Sequence, residues 1–306
     1  AYKTYTENQL FSPEISTTTG YSKLYVNAGK VTNKGIELAL GFKQNIGPVD
    51  WKTTLLWSLN RNRIDQLLPE YTNEELGVTV HLDEMDVYSL GGAKQRLTVG
   101  GSMGDVYVNT MRTDEHGHIW MNSMTGTLET DKNNYVYAGN TNPKYTLSWR
   151  NEFNWKGISL GFMLNARVGG IGVSATQAVM DYYGVSKTSA EARDNGGVKV
   201  NGQMIDAQTW YQTIGANGTG YVGSMYVYSM TNVRLGELTL GYDIPINKWC
   251  KWISGLNVSF VGRNLWMLYC KAPFDPESTA STGTYNQGMD YFMQPSLRSM
   301  GFSAKI

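Results

Sequence analysis

GNTNPKYTLSWRNEFNWKGISLGFMLNARVGG, residues Gly139 to Gly170, contains two alternating runs joined by Lys156-Gly157. From Tyr145 to Trp155 the odd positions read Tyr, Leu, Trp, Asn, Phe, Trp, while the even positions read Thr, Ser, Arg, Glu, Asn. Beyond the turn, Ile158, Leu160, Phe162, Leu164, Ala166 and Val168 share one face, and Ser159, Gly161, Asn165 and Arg167 the other. A period of two with one apolar face is the pattern of a β-strand, and two such runs around a tight turn predict a hairpin. Each run has the roughly 9–11 residues that a tilted strand needs to cross a bilayer. Tyr145 and Trp155 stand near the strand ends, where aromatic girdles meet the membrane surface. The hairpin therefore reads as two staves of a membrane barrel.

Composition neither supports nor opposes this on its own. A mean hydropathy of -0.34 looks soluble, but a transmembrane barrel shows its apolar face only at every second residue, so averaged hydropathy misses it. The 26 basic and 26 acidic residues cancel, which removes the electrostatic case for nucleic acid. Cys250 and Cys270 fall at opposite ends of one expected strand, tens of ångströms apart, so no disulfide is expected between them.

Working outward, Ile36, Leu38, Leu40 and Phe42 alternate with polar or small residues, and a turn at Gly47 to Asp50 leads into Trp51, Thr53, Leu55, Trp57 and Leu59 on one face. This is a second hairpin of the same design. Residues Ala1 to Lys34 read as loop or irregular hairpin, Asp65 to Asn142 as a large folded loop, and Gly169 to about Tyr228 as a long irregular region. In NVRLGELTLGYDIP the apolar phase slips at Gly236-Glu237, which predicts a β-bulge. GLNVSFVGRNLWML and the last residues, Ser296 to Ile306, complete seven strands. Short turns alternate with long loops, the arrangement of bacterial outer-membrane barrels, whose periplasmic turns are tight. Seven is odd, and such barrels close with even numbers, so the chain is expected to be the carboxyl-terminal part of one larger barrel domain spanning 1–306.

Five separated blocks resemble the SusC/RagA family of TonB-dependent outer-membrane transporters of Bacteroidota. They are Asn27 to Phe42, Gly139 to Gly170, Tyr226 to Pro245, Gly262 to Ser278 and Leu297 to Ile306. The resemblance implies an all-β, 22-stranded plugged barrel with long extracellular loops. It also implies import of an oligosaccharide or peptide with a SusD-like surface lipoprotein lid, in a possible dimer of transporter–lipoprotein pairs. Energy would arrive through TonB by way of a plug and TonB box that this sequence does not contain. Outer-membrane lipid is the implied surroundings, and no cofactor is implied.

No catalytic set is legible: there is no G-x-S-x-G elbow, and no Ser or Cys stands at a recognisable spacing from His81, His116 or His118. His116-Gly117-His118 beside Asp114 and Glu115 suits a polar turn better than a metal clip, so no metal is expected. Asp275-Pro276-Glu277 is read as a structural loop. Arg150, Glu152, Arg167, Arg234 and Arg263 are expected to face the lumen, where charge is inexpensive, with Arg150 and Arg167 favoured for plug docking. The loops are rich in aromatic residues, including Trp120, Tyr137, Tyr182 and Tyr183. Trp210, Tyr211, Tyr285 and Asp290 are the expected ligand contacts, because aromatic faces stack on sugars and peptide side chains. A passive porin and an outer-membrane barrel enzyme are the rival functions; a soluble adhesin would carry polar rather than Trp, Leu and Phe faces.

Overall fold

The computed structural model describes residues 1–11, 20, 25–75, 77–122, 124, 127–216, 220–246, 252, 255–278 and 286–306. The chain begins with β1 (Tyr2–Phe11), then β2 (Val26–Ile46) and β3 (Val49–Gln66). A first excursion carries β4 (Leu68–Asn73), β5 (Val78–Leu82), β6 (Glu84–Leu90), β7 (Ala93–Thr98), β8 (Asp105–Met111) and β9 (Thr130–Asn140). The central hairpin is β10 (Tyr145–Trp155) and β11 (Ile158–Val168). A second excursion holds β12 (Ile171–Ser174), α1 (Ala175–Tyr182), α2 (Lys187–Asp194), β13 (Val198–Val200), β14 (Gln203–Ile205), α3 (Ala207–Ile214) and β15 (Val227–Ser229). The chain ends with β16 (Asn232–Ile244), β17 (Leu256–Cys270), the short β18 (Met289–Asp290) and β19 (Ser299–Lys305).

Eight strands form one antiparallel sheet in the order β1-β2-β3-β10-β11-β16-β17-β19. The stretch expected to be irregular, Ala1 to Lys34, instead supplies β1 and the upper part of β2, paired from Tyr2↔Gly35 to Phe11↔Val26. That pairing lies beyond the apolar band, where nothing requires alternation, so the sequence carried no membrane signal there. The central hairpin has the expected bounds and register, Tyr145↔Val168 to Trp155↔Ile158. Its turn residues, Lys156 (φ 47°) and Gly157 (φ 84°), both adopt the left-handed conformation that matches the twist of a two-residue hairpin.

Register makes the alternation of single strands into rows across the sheet. Leu40, Leu55, Trp149, Leu164, Leu235 and Trp266 lie in one row on the apolar face. Ring contacts run through Phe42, Trp51, Phe153, Phe162 and Trp149, with centroids 5.7–6.4 Å apart. Each such pair is worth about 0.5–1.5 kcal/mol beyond its buried area. The indole N–H groups on this face are satisfied locally: Trp51 Nε1 donates to Asn151 Oδ1 at 3.2 Å, and Trp149 Nε1 to Thr53 Oγ1 at 2.9 Å. That is the requirement hydrocarbon imposes. Ile36, Leu38, Leu40, Phe42, Leu160, Leu240 and Phe302 are nonetheless exposed, a row of large apolar side chains on one face that soluble proteins rarely leave open. From Tyr145 to Trp155 the band is about 26 Å tall at ~3.4 Å per residue and ~40° tilt, close to the height of a barrel's apolar belt.

The expected bulge is present. Met163 pairs with Glu237 and Leu164 with Leu235, leaving Gly236 extra. The slip turns Glu237 to the polar face while Leu235 and Leu238 stay on the apolar one. No helix among the described residues is long and apolar enough to cross a membrane.

At the loop end of the sheet the excursions fold together. β6-β7-β8-β9 form a four-stranded sheet, and β15-β12-β18 a three-stranded one. The region expected to be irregular from Gly169 carries three eight-residue helices, each started by a side-chain cap: Ser174 to Gln177 N–H, Ser186 to Ser189 N–H, and Asp206 to Thr209 N–H. One apolar core joins Ala93, Val106 and Val108 of the first excursion to Val173, Ala178, Trp210, Ile214 and Tyr221 of the second and to Met289 of β18, which belongs to a third excursion between β17 and β19. Gly92 sits where a Cβ would come within 2.0 Å of the Tyr221 carbonyl, so only glycine permits this approach. Cys270 is a free thiol, and Cys250 and Tyr285 lie outside the described residues.

Candidate functional site

The polar face of the sheet carries a chain of charges. Thr54, Arg150, Met163, Glu237 and Arg263 occupy one row across five strands, with Lys52 and Glu152 in the neighbouring row. Arg150 Nε lies 2.8 Å from Glu152 and its Nη2 3.6 Å from Glu237; Arg263 reaches Glu237 at 3.9 Å and Lys52 reaches Glu152 at 3.7 Å. Arg150, Glu152 and Arg263 thus share one face of the sheet and are linked through Glu237. Lys52 and Glu237 are the partners that pattern reading did not connect, since cross-strand register and the bulge decide their positions. Arg150 remains 48% exposed, so its ion pairs are screened and each is worth about 0–1 kcal/mol. Arg150→Ala is accordingly expected to leave the folded yield within about 1 kcal/mol of the parent, checked by the fraction of heat-modifiable species on a gel.

The other two arginines are committed elsewhere. Arg167 Nη2 donates to the Thr141 carbonyl at 2.7 Å, tying the top of β11 to the first excursion. Arg234 lies on the polar side of β16 but is covered. Its Nη2 meets Asp275 at 2.9 Å, with both side chains 9% exposed, and its remaining nitrogens donate to Asn232, Asn264 and Ser296. Asp275 also accepts from the backbone N–H of Glu277 and of Ser296, each at 3.0 Å, and from the Ser296 hydroxyl. Burial alone would raise the Asp275 carboxyl, but these donors and Arg234 outweigh it and hold it at about 2. Arg234 therefore anchors the segment 271–298 rather than facing an open lumen. The reading of Asp275-Pro276-Glu277 as a structural loop fits this knot.

Of the expected ligand contacts, two are buried in the loop body. Trp210 is 8% exposed because Ala207, Trp210 and Ile214 form the apolar stripe of α3. Asp290 is 5% exposed and accepts from Ser174 Oγ at 2.5 Å, where β18 pairs with β12. Both side chains serve packing between excursions rather than an open surface. Tyr211 differs: it lines a cavity of about 190 Å³ with Asp181, Tyr182, Tyr183, Arg193 and Gln212. Tyr182 and Gln212 continue into a second cavity of about 290 Å³ beside Asn109, Lys132 and Tyr221. Tyr182 and Tyr183 meet edge to face at 5.2 Å, and Tyr183 is 66% exposed. Burial first, then the Asp181 carboxylate, raises the Tyr211 hydroxyl above its ordinary range. Exposed rings beside amide, carboxylate and guanidinium groups offer both stacking and hydrogen bonding.

The histidines form no comparable site. Asp114 Oδ1 accepts from the N–H groups of His116 and His118 at 2.9 Å each, which closes a turn. Among the described residues no group of three or more potential ligands is placed to hold a metal ion.

Known proteins share this architecture. No family model matches the chain. Over its whole length it is 23% identical to TonB-dependent receptor P3 of Formosa agariphila, of which it spans 32%. The fold superposes on the RagAB peptide transporter with a TM-score of 0.64 at 15% identity, covering 98% of this chain and 31% of that one. The RagAB peptide importer in its closed-closed state gives 0.61, again at 15% identity, with 99% of this chain and 32% of that one. The chain thus spans about a third of the length of the proteins it matches. Both comparisons support the resemblance carried by the five sequence blocks: the chain is similar to part of a SusC/RagA-like TonB-dependent transporter, and its fold is a portion of such an all-β barrel.

Proposed function

We propose that this chain is the carboxyl-terminal wall and vestibule of an active importer in the bacterial outer membrane, taking up an oligosaccharide or peptide. The observation that carries the proposal is the joining of three long excursions into one packed body at one end of a lipid-faced sheet, with aromatic-lined cavities in that body. Among the described residues the sheet has two open edges, which in hydrocarbon must be paired by further strands. A plug within the closed barrel would meet the charge chain around Arg150 and Arg263, and TonB would act through that plug. A SusD-like lipoprotein would cover the loop body, in a possible dimer of transporter–lipoprotein pairs. The RagAB neighbours are peptide transporters, which favours a peptide among the two ligand classes.

Gentle detergent extraction of the native membrane, with mass spectrometry of whatever accompanies the chain, tests this. A surface lipoprotein, a plug-bearing portion and a retained oligomer are expected; a lone barrel without them supports the passive porin. For the ligand, Tyr183→Ala is expected to weaken binding about 2- to 12-fold by calorimetry, the equivalent of one ring contact of about 0.5–1.5 kcal/mol.

A further inference from the structure

The outward face of the sheet changes character just above its apolar band. In β2 and β3 the outward positions Leu38, Ile36, Leu59 and Trp57 are followed, one outward step nearer the loop end, by Lys34 and Arg61. Register aligns Lys3 with Lys34, and Lys34 with Arg61; the next outward row holds Tyr5, Thr32 and Arg63. All four cations are exposed. With Thr32 and Asp65 they line a cavity of about 310 Å³. Arg61 and Arg63 also border a larger cavity of about 710 Å³ beside Lys144 and Tyr145. Asp65 is the single carboxylate in the smaller cavity, and it is engaged by the Thr32 hydroxyl and by Arg63 at 3.8 Å. Among the described residues no carboxylate lies in ion-pair range of Lys3, Lys34 or Arg61. In a chain whose charges cancel overall, four cations against one anion on one outward patch is a local concentration.

Height gives the patch its meaning. Thr146 pairs with Ser58, which sets Tyr145 at the level of Leu59 and Ile36, the upper edge of the apolar band. Lys34 and Arg61 stand two residues higher, about 7 Å along the strand. That is the depth of the headgroup layer, which adds roughly 5–7 Å on each side of the hydrocarbon. Cations at this level face neither lipid tails nor the lumen. Guanidinium forks and ammonium groups together suit a phosphate oxyanion.

We propose that Lys3, Lys34, Arg61 and Arg63 form a site for the phosphate-bearing headgroup of a lipid in the leaflet at the loop end of the barrel. The site rests on the membrane placement proposed above. The bound lipid would pack its chains on Ile36, Leu38 and Trp57 and brace β1 against β2 above the band.

The test uses the full-length transporter purified in detergent and lipid A as the probe, either phosphorylated or stripped of phosphate by a phosphatase. Native mass spectrometry is expected to show at least 10-fold more retained phosphorylated than stripped lipid, falling as sodium chloride rises from 50 to 500 mM. The variant Lys34→Gln/Arg61→Gln/Arg63→Gln is expected to retain both lipids equally. Lys156→Gln, the same kind of charge loss at the opposite end of the sheet, is expected to behave as the parent. Equal retention of the two lipids by the parent overturns the site whether or not the triple variant folds. Displacement of lipid A by 20 mM inorganic phosphate would assign the patch to free phosphate and overturn the lipid. Heat-modifiability of the same samples reports the barrel separately, so loss of the site with an intact barrel leaves the importer proposal standing.

Discussion

Leu164→Arg is expected to abolish most of the folded barrel, with a cost of about 2–4 kcal/mol for a cation at the bilayer midplane. Leu164 stands between Trp149 and Leu235 in a row midway up the band, so its outward path to water is long. Leu160→Arg, nearer the turn end and paired with Phe153 and Leu240, is expected to cost less, because an arginine there can reach the interface. Ser148→Arg is expected to be tolerated, since its neighbours across the sheet are Leu56 and Asn165 on the lumen side. Folding into vesicles, followed by gel mobility with and without heating, measures all three. Equal damage from Leu164→Arg and Ser148→Arg would reverse the facing assignment.

Asp275→Asn is the second large effect. It leaves Arg234 buried without its counter-charge, and breaking one partner of a buried pair costs about 3–5 kcal/mol. The damage is expected to be local: faster hydrogen exchange and new protease cuts in 271–298, with the sheet retained. The same knot sets an acid response. The folded carboxyl lies at about 2, below an unfolded value of about 3.9. Its stabilisation is therefore complete above the unfolded value and is lost as pH falls through the folded one. Hydrogen exchange in this segment is expected to stay constant from pH 7 to about 5, after correction for intrinsic rates, and to accelerate toward pH 2. In Asp275→Asn the exchange should already be fast at neutral pH and lack this acid step.

What the sequence disclosed follows from where lipid acts on it. Tyr145 to Trp155 and Ile158 to Val168 alternate because one face must satisfy hydrocarbon, and their bounds and register were readable from that alone. The Gly236 slip was readable for the same reason. β1 was not, because Tyr2 to Phe11 pair with the part of β2 above the band, where alternation is not imposed. The helices left local signals that went unread: Ser174, Ser186 and Asp206 as caps, and the Ala207, Trp210, Ile214 spacing that marks a buried stripe. Those signals would have removed Trp210 from the ligand contacts. Asp290 had no such signal, since its partner Ser174 lies 116 residues away and is reached through a parallel pairing between two excursions. The charge chain was half legible: facing followed from parity, whereas the Arg150–Glu237–Arg263 order depends on register across four strands and a bulge.

The most direct measurement is a cysteine scan of residues 145–155 in the full-length protein within native membranes. Each single-cysteine variant, made in a background freed of Cys250 and Cys270, is labelled with a water-soluble maleimide and, separately, with an environment-sensitive fluorophore quenched by a bilayer-embedded nitroxide. Even positions are predicted to take the maleimide and resist the quencher. Odd positions are predicted to do the reverse, with quenching deepest near Trp149 and Asn151 and shallowest at Tyr145 and Trp155. Uniform labelling, or alternation without lipid quenching, would contradict a membrane-spanning wall.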